Sequence, residues 1–450
     1  MPDFANMPLE KLCAPHAYDC PCGVRHEAEL RIFRCGRNAI ESLPEVLKEL
    51  GFKKPFVVCD PETYKAAGER VCAILDENKI PYGFFMHSEQ RPEPDEPSVG
   101  AIVMEYDPSC DVLIAVGSGV INDLTKVVAH AVGRPTVVVG TAPSMDGYAS
   151  NSSAMHRNGV KVSLYNACPE AIIADTCIMS KAPMRMLWAG LGDMLAKYIS
   201  ICEWRISHIV TGEYYCEDVA ALMRNAVKKI VENAEKLAER DPEAVQAVVE
   251  GLVLSGIAMS YATTSRPASG LEHYFSHVWE MMAMERGTHA DLHGIQVGVG
   301  TLLTLKLYDW IKTISPDRKV AEDAFARFDK EAWEEMVRRV FGKSAPQILE
   351  IERKAGKNDP KNHAKRLDNI LANWDEILKV IEEELPPTAE IERLMYNLGM
   401  PMLPKDLGVS EEDAKDAFTG AREVRDKYMS CSLLWDIGLS DEARARVRAD

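Results

Sequence analysis

The stretch DVLIAVGSGVINDLTKVVAHAVG, residues 111–133, sets an apolar strand, a glycine turn and a helix in immediate succession. Its first part, DVLIAVG, has almost no polar alternation, as expected of a parallel strand covered on both faces. Gly117 and Gly119 lack a Cβ, so the backbone can approach a pyrophosphate whose charge meets the first N–H groups of the following helix. The turn is not the standard dinucleotide fingerprint. Gly117, Ser118, Gly119, Val120, Ile121, Asn122 and Asp123 lack the third glycine of G-x-G-x-x-G. A carboxylate suited to ribose hydroxyls, Asp60, ends an earlier strand, whereas the usual order puts that acid about 20 residues after the glycines.

Working outward, PFVVCD (55–60), YGFFMH (82–87), PTVVVGT (135–141) and EAIIAD (170–175) read as further buried strands. Helical segments such as ETYKAAGERVCAILDEN lie between them, an order that argues an α/β layer with right-handed crossovers. The strand at 135–141 runs into TAPSMDGYASNSSA (141–154), which reads either as a ligand loop at the carboxyl end of a parallel sheet or as a plain polar connection. Asp146 within it needs a partner if buried. After Asp175 strand signals fade and long helical stretches dominate, with an unusually charged helical elaboration at about 313–390. The expected division is an N-terminal arm (1–27), a Rossmann-like α/β domain with a parallel sheet (28–180) and an all-α domain (181–450).

Composition narrows the function. A net charge of −17 over 450 residues repels a nucleic-acid backbone or an anionic membrane surface. No apolar run is expected to approach the ~18 residues of a membrane span. The N-terminus lacks the basic start and apolar stretch of a secretory signal, so a cytoplasmic location is expected. The twelve cysteines are scattered through a long chain, which favours reduced thiols over a disulfide framework. Cys13, His16, Cys20, Cys22 and His26 fit none of the strong zinc spacings and read as a loose arm, with a structural or regulatory metal as the alternative.

A second signal is SGLEHYFSHVWEMMAMERGTHADLHG (269–294), with four of the eleven histidines, at 273, 277, 289 and 293. The i, i+4 spacing pairs His273 with His277 and His289 with His293 on helix faces. Asp193, inside the apolar helical stretch LGDMLAKY, is a poor helix-interior residue that needs a reason. A mixed Asp/His set with an open position is the catalytic pattern of a divalent metal site. On spacing alone, which of these residues bind metal stays open.

Taken together, GSGVINDLTK, TAPSMDGYAS, GLGDMLAKY, SRPASGLEHYFSH and HGIQVGVGT, in that order, resemble the sn-glycerol-1-phosphate dehydrogenase family, within the iron-dependent alcohol dehydrogenase and dehydroquinate synthase-like superfamily. The likeness spans about residues 28–310 and is greater to the bacterial, arabinose-operon type than to the archaeal one. It implies a Rossmann-like domain, a helical domain and a site in the cleft between them. It further implies that Asp60, Gly117, Gly119, Val120, Ile121, Asn122, Asp123, Thr141, Ser144 and Ser150 contact NAD(H) or NADP(H). Asp193, His273 and His293 are implied as ligands of one zinc or nickel ion, and Asp146, Asp193 and His277 as substrate contacts. His289 matches no role. The implied reaction is reduction of dihydroxyacetone phosphate to sn-glycerol 1-phosphate by a homodimer or larger assembly. Arg266 and Lys161 are the candidate cations for the substrate phosphate. This chain departs from the pattern at Val116, where many relatives have a third glycine. The rival readings are a polyol dehydrogenase, a dehydroquinate synthase-like cyclase and, outside catalysis, a metal-binding protein.

Overall fold

The computed structural model describes residues 6–158 and 160–449; the first five residues of the expected arm lie outside the described residues. After a short helix, Leu9–Leu12, the described chain forms a hairpin in which β1 (Ala17–Asp19) pairs with β2 (Arg25–Glu27). Then come β3 (Ile32–Gly36), β4 (Pro55–Cys59), β5 (Gly83–Met86), β6 (Val112–Gly117) and β7 (Thr136–Gly140). A second hairpin joins β8 (Ser152–Arg157) to β9 (Val160–Tyr165), and β10 (Ala171–Asp175) returns to the main sheet. That sheet has six strands in the order β3-β10-β7-β6-β4-β5, every pair parallel. β4, β6, β7 and β10 are buried at every residue, which is why each reads as an unbroken apolar run.

The strand order resolves the misplaced acid. The chain moves from β4 outward to β5 and then back to β6, which lies beside β4 with Val58 opposite Ala115. Asp60 directly follows β4, so it stands beside the Gly117–Gly119 turn at a topological switch point, where open α/β sheets bind ligands. Thr141 follows β7 in the next position, its N–H donating to the Gly117 carbonyl at 3.0 Å.

Compact units do not follow a single cut in the chain. One holds the residues up to Met194 together with Glu217–Ser265; the other holds Leu195–Cys216 and the chain from Arg266 onward. The sheet lies in the first. The second is helical and includes Leu271–Glu285, His293–Ile311 and the charged helices from Arg318–Ala326 to Trp374–Glu384. Several of those charged helices begin at an aspartate, Asp317, Asp329 or Asp359, whose carboxylate accepts from first-turn N–H groups.

Three expectations change. Residues 6–27 are no loose arm: Leu12, Cys13 and His26 are buried, and the Tyr261 hydroxyl donates to the Leu12 carbonyl at 2.9 Å. The polar stretch after Asp146 enters β8, whose alternating burial hid it from an apolar-run reading. The helix Pro242–Ala262 is long and apolar enough to cross a membrane, with a mean hydropathy of 1.4 over its most apolar window, contrary to the expectation of no such run. Yet 72% of that window is buried inside the protein, as in a core helix.

Candidate active site

In the sheet-bearing unit, Asp60 caps the helix that follows it. Its Oδ1 accepts from Glu62 N at 2.9 Å and Thr63 N at 2.8 Å, while Asp60 N donates to Thr63 Oγ1 at 2.9 Å. The carboxylate is thereby fixed at the end of β4 with Oδ2 outside the cap.

The two turn glycines serve different ends. A Cβ on Gly117 would fall 2.6 Å from Ile121 Cβ, so strand-to-helix packing demands that glycine. One on Gly119 would have the Met145 side chain as its nearest neighbour, at an ordinary 3.5 Å, so the approach of a ligand is the better reason for the second. The helix Gly119–Val132 starts there, and its first N–H groups have no intrahelical acceptors. The side chains beyond face inward. Asn122 is fully buried. Asp123 accepts from Ala154 N at 3.0 Å and pairs with buried Lys126 at 3.2 Å, while burial pushes its carboxyl up. Lys126 Nζ also donates to the carbonyls of Gly147, Ser150 and Ser152. Asn122 and Asp123 therefore shape the loop from within; the turn itself offers backbone and the half-exposed Val120. Thr141 and Ser144 are nearly buried beside it, and Ser150 Oγ lies 2.9 Å from Ser152 Oγ at the start of β8.

The loop is clamped by two helices that lack side chains where it passes. A Cβ on Gly190 would lie 1.9 Å from the Pro143 carbonyl oxygen, and one on Gly256 would lie 2.8 Å from that of Ala149. Between those points Asp146 N donates to Asp193 Oδ2 at 2.9 Å, and Asp146 Oδ2 accepts from buried Ser255 at 2.8 Å. This is the reason for an aspartate inside the helix Met184–Thr211: it holds the loop backbone, and its own carboxylate is held in turn.

In the helical unit, three of the four histidines come together. Ring centroids of His273 and His293 are 5.4 Å apart, as are those of His277 and His293. His289 is exposed in the segment after Gly287, which ends the first helix at φ +65°; His293 begins the next helix, so the expected pairing of 289 with 293 on one face fails. Each inner histidine is oriented through Nδ1. That of His273 faces Glu272 Oε1 at 2.8 Å; that of His293 faces Ser276 Oγ at 2.9 Å and Glu280 Oε1 at 3.2 Å. With Nδ1 turned to these partners, Nε2 of each ring is the nitrogen that could serve as a metal donor, the orientation that carboxylate–histidine–metal triads use. Glu272 also accepts from Gly270 N at 2.7 Å, and Glu203 braces the same turn through Leu271 N at 2.9 Å. Burial, and then the Glu272 charge, push the Glu203 carboxyl up. Glu280 has one oxygen 3.6 Å from His277 Nδ1, and His277, Glu280 and His293 also present their donors within 4.8 Å of one another.

Glu272, Glu280, Ser276 and Ser255 were not foreseen from sequence. The first two left a signal, an acid beside His273 and another three residues after His277. Arg266 is not available to a substrate phosphate. It is buried, forked onto Glu213 and bonded to the Tyr428 carbonyl and Ser207 Oγ. Lys161 lies on β9 opposite His156.

The iron-containing alcohol dehydrogenase family model matches residues 34–183, from β3 to just before the Met184–Thr211 helix. A protein of Halalkalibacterium halodurans named glycerol-1-phosphate dehydrogenase (NAD(P)+) is 30% identical over 423 residues, covering 93% of this chain and 95% of its own. The chain belongs to the glycerol-1-phosphate dehydrogenase family. A member from Pyrococcus furiosus with the same name is 36% identical over 291 residues, 63% of this chain and 81% of that one. The fold of this family member is also that of a Schizosaccharomyces pombe glycerol dehydrogenase crystal structure, with a TM-score of 0.64 at 16% identity over 94% of this chain and 90% of the other.

Proposed function

We propose that this chain reduces dihydroxyacetone phosphate to sn-glycerol 1-phosphate with NADH or NADPH, reversibly, around one zinc or nickel ion held by Asp193, His273 and His293. The observation that carries this reading is the pinning of Nδ1 on both histidines by carboxylate or hydroxyl partners, which makes a matched pair of Nε2 donors. The names of the relatives supply the reaction and the dinucleotide. Bound there, the ion supplies Lewis-acid polarisation of the substrate carbonyl.

The chain's own residues do the rest. Gly119 to Ile121 present helix N-terminal N–H groups to the pyrophosphate, with Thr141, Ser144 and Ser150 along the neighbouring loop. Asp60 Oδ2 takes the ribose, and its fixed charge disfavours a 2′-phosphate, so NADH is the preferred donor. Asp146, anchored by Ser255, orients the substrate hydroxyl. His277 delivers the proton to the product oxygen, as imidazole is the side chain suited to proton transfer near neutrality, and Glu280 places a carboxylate oxygen 3.6 Å from its Nδ1. Lys161 is the remaining candidate for the phosphate. The same reading carries a homodimer or larger assembly.

The test assays metal-stripped chain, with zinc or nickel restored, for oxidation of each reduced nicotinamide. Metal-dependent turnover with dihydroxyacetone phosphate and far less with dihydroxyacetone is expected. Equal turnover on both would make the chain a polyol dehydrogenase; nicotinamide with no net change would point to the cyclase. A His277→Ala chain with wild-type turnover across pH 6 to 9 would remove the proton relay alone.

A further inference from the structure

The β1–β2 hairpin carries a second metal-type corner of different chemistry. Its connection is Cys20-Pro21-Cys22-Gly23-Val24, closed by Cys20 N to Val24 O at 3.3 Å and Gly23 N to Cys20 O at 3.0 Å. Gly23 has φ +86°, a conformation few side chains adopt. This turn and the register that sets His26 opposite Tyr18 bring one ligand atom each of Cys20, Cys22 and His26 within 4.8 Å of one another.

His26 is fully buried and its tautomer is fixed. Nδ1 donates to the Tyr261 carbonyl at 2.8 Å, so Nε2 carries the lone pair, and it faces Cys22 Sγ at 3.5 Å. Tetrahedral zinc with ordinary Zn–S and Zn–N bonds sets a sulfur and a nitrogen ligand roughly 3.5–3.6 Å apart. The ring also stacks on Tyr261 at 5.4 Å, so it cannot turn away. Cys20 Sγ donates to Asp218 Oδ2 at 3.2 Å, which places the hairpin against the start of the Glu217–Asn233 helix. Two positions before Asp218, directly ahead of that helix, is the buried Cys216. Cys13 and His16 stand outside the set: Cys13 Sγ faces the Leu9 carbonyl, and His16 Nδ1 faces that of Cys13.

We propose that Cys20, Cys22, His26 and Cys216 bind one structural zinc ion that fastens the N-terminal hairpin to the Glu217–Asn233 and Pro242–Ala262 helices. Three thiolates and one imidazole fill a tetrahedron with no position left for substrate, the pattern of a closed site, and sulfur selects zinc over hard cations. Binding releases the thiol protons and adds to the stability of a hairpin of two three-residue strands.

The experiment uses full-length chain purified under reducing conditions, with metal content measured by mass spectrometry and cobalt(II) substituted for the native metal. Of the two proposed metal sites this one alone uses sulfur, so a thiolate-to-cobalt charge-transfer band reports it apart from the histidine site. His273→Ala is expected to keep the band and one zinc per chain. Cys22→Ser is expected to lose both, lower the melting temperature and keep turnover. If Cys22→Ser does not fold, wild-type chain is titrated with a thiol-specific mercurial, which should release one zinc to a colorimetric chelator. The proposal is overturned if reduced wild-type chain shows no thiolate–cobalt band, if the mercurial releases no zinc, or if Cys20 and Cys22 are recovered as a disulfide with no zinc bound. Loss of dihydroxyacetone phosphate reduction in the His273→Ala chain bears on the proposed function and leaves this site untouched.

Discussion

The two corners rich in metal-type donors are built in opposite ways. At His273 and His293 the imidazoles are held from behind by Glu272, Glu280 and Ser276, all side chains, which fixes their ring orientation and keeps the donor faces together. At Cys20, Cys22 and His26 the single imidazole is held by a backbone carbonyl, and two of the three proposed sulfurs come from one tight turn. The first corner uses nitrogen donors braced by acids and suits an ion that keeps a position for substrate; the second uses sulfur and suits an ion that only holds chain together. Counting histidines and cysteines does not separate these roles. What stands behind each donor does.

That contrast can be broken from either side. His273→Ala should cut kcat/KM by at least about 10²–10³-fold, the range for losing one stabiliser of a developing oxyanion, while fluorescence titration still detects dinucleotide binding. Retained turnover would mean that the histidine corner is not the reactive one. Glu272→Gln keeps the shape and removes the charge behind His273, so metal affinity in a chelator competition should fall roughly 10–100-fold, with excess metal restoring activity. Ser255→Ala should raise KM with little change in bound metal, at about 0.5–1.5 kcal/mol for one lost hydrogen bond to Asp146. The smallest expected effect concerns a thiol outside both corners. Burial pushes Cys13 up to about 12, so at pH 8 its thiolate fraction is on the order of 10⁻⁴ and grows only as pH rises toward that value. Alkylation mapped by mass spectrometry should leave Cys13 unmodified, and should reach Cys20 and Cys22 only after zinc is removed.

Much of the fold was legible because the central strands are buried on both faces and so carry uninterrupted apolar runs, as in VLIAVG and TVVVG. β8 and β9 were not, since β8 alternates in burial and β9 has no buried residue, which mixes Ser, His and Lys into the pattern. The edge strand β3 escaped because only Ile32 and Phe33 are buried, while Arg34 and Cys35 are partly covered and cut the apolar run short. The early position of Asp60 looked wrong in sequence because order along the chain is not order across the sheet. For the histidines, spacing suggested pairs on helix faces, and Gly287 defeats one of them by ending the helix. Ser255 behind Asp146 and Tyr261 behind His26 are separated from their partners by more than a hundred residues, and no local pattern announces such a contact.

The loop pressed against Gly190 and Gly256 bears on the thermodynamics of cofactor capture. A segment whose backbone already rests on two helices, with Lys126 tying three of its carbonyls, has little conformational freedom left to lose when a dinucleotide arrives. Ordering a free loop subtracts from affinity, and here that subtraction has been made during folding. Binding heat measured for a Gly190→Ala chain should therefore show a larger opposing entropy than for the native one.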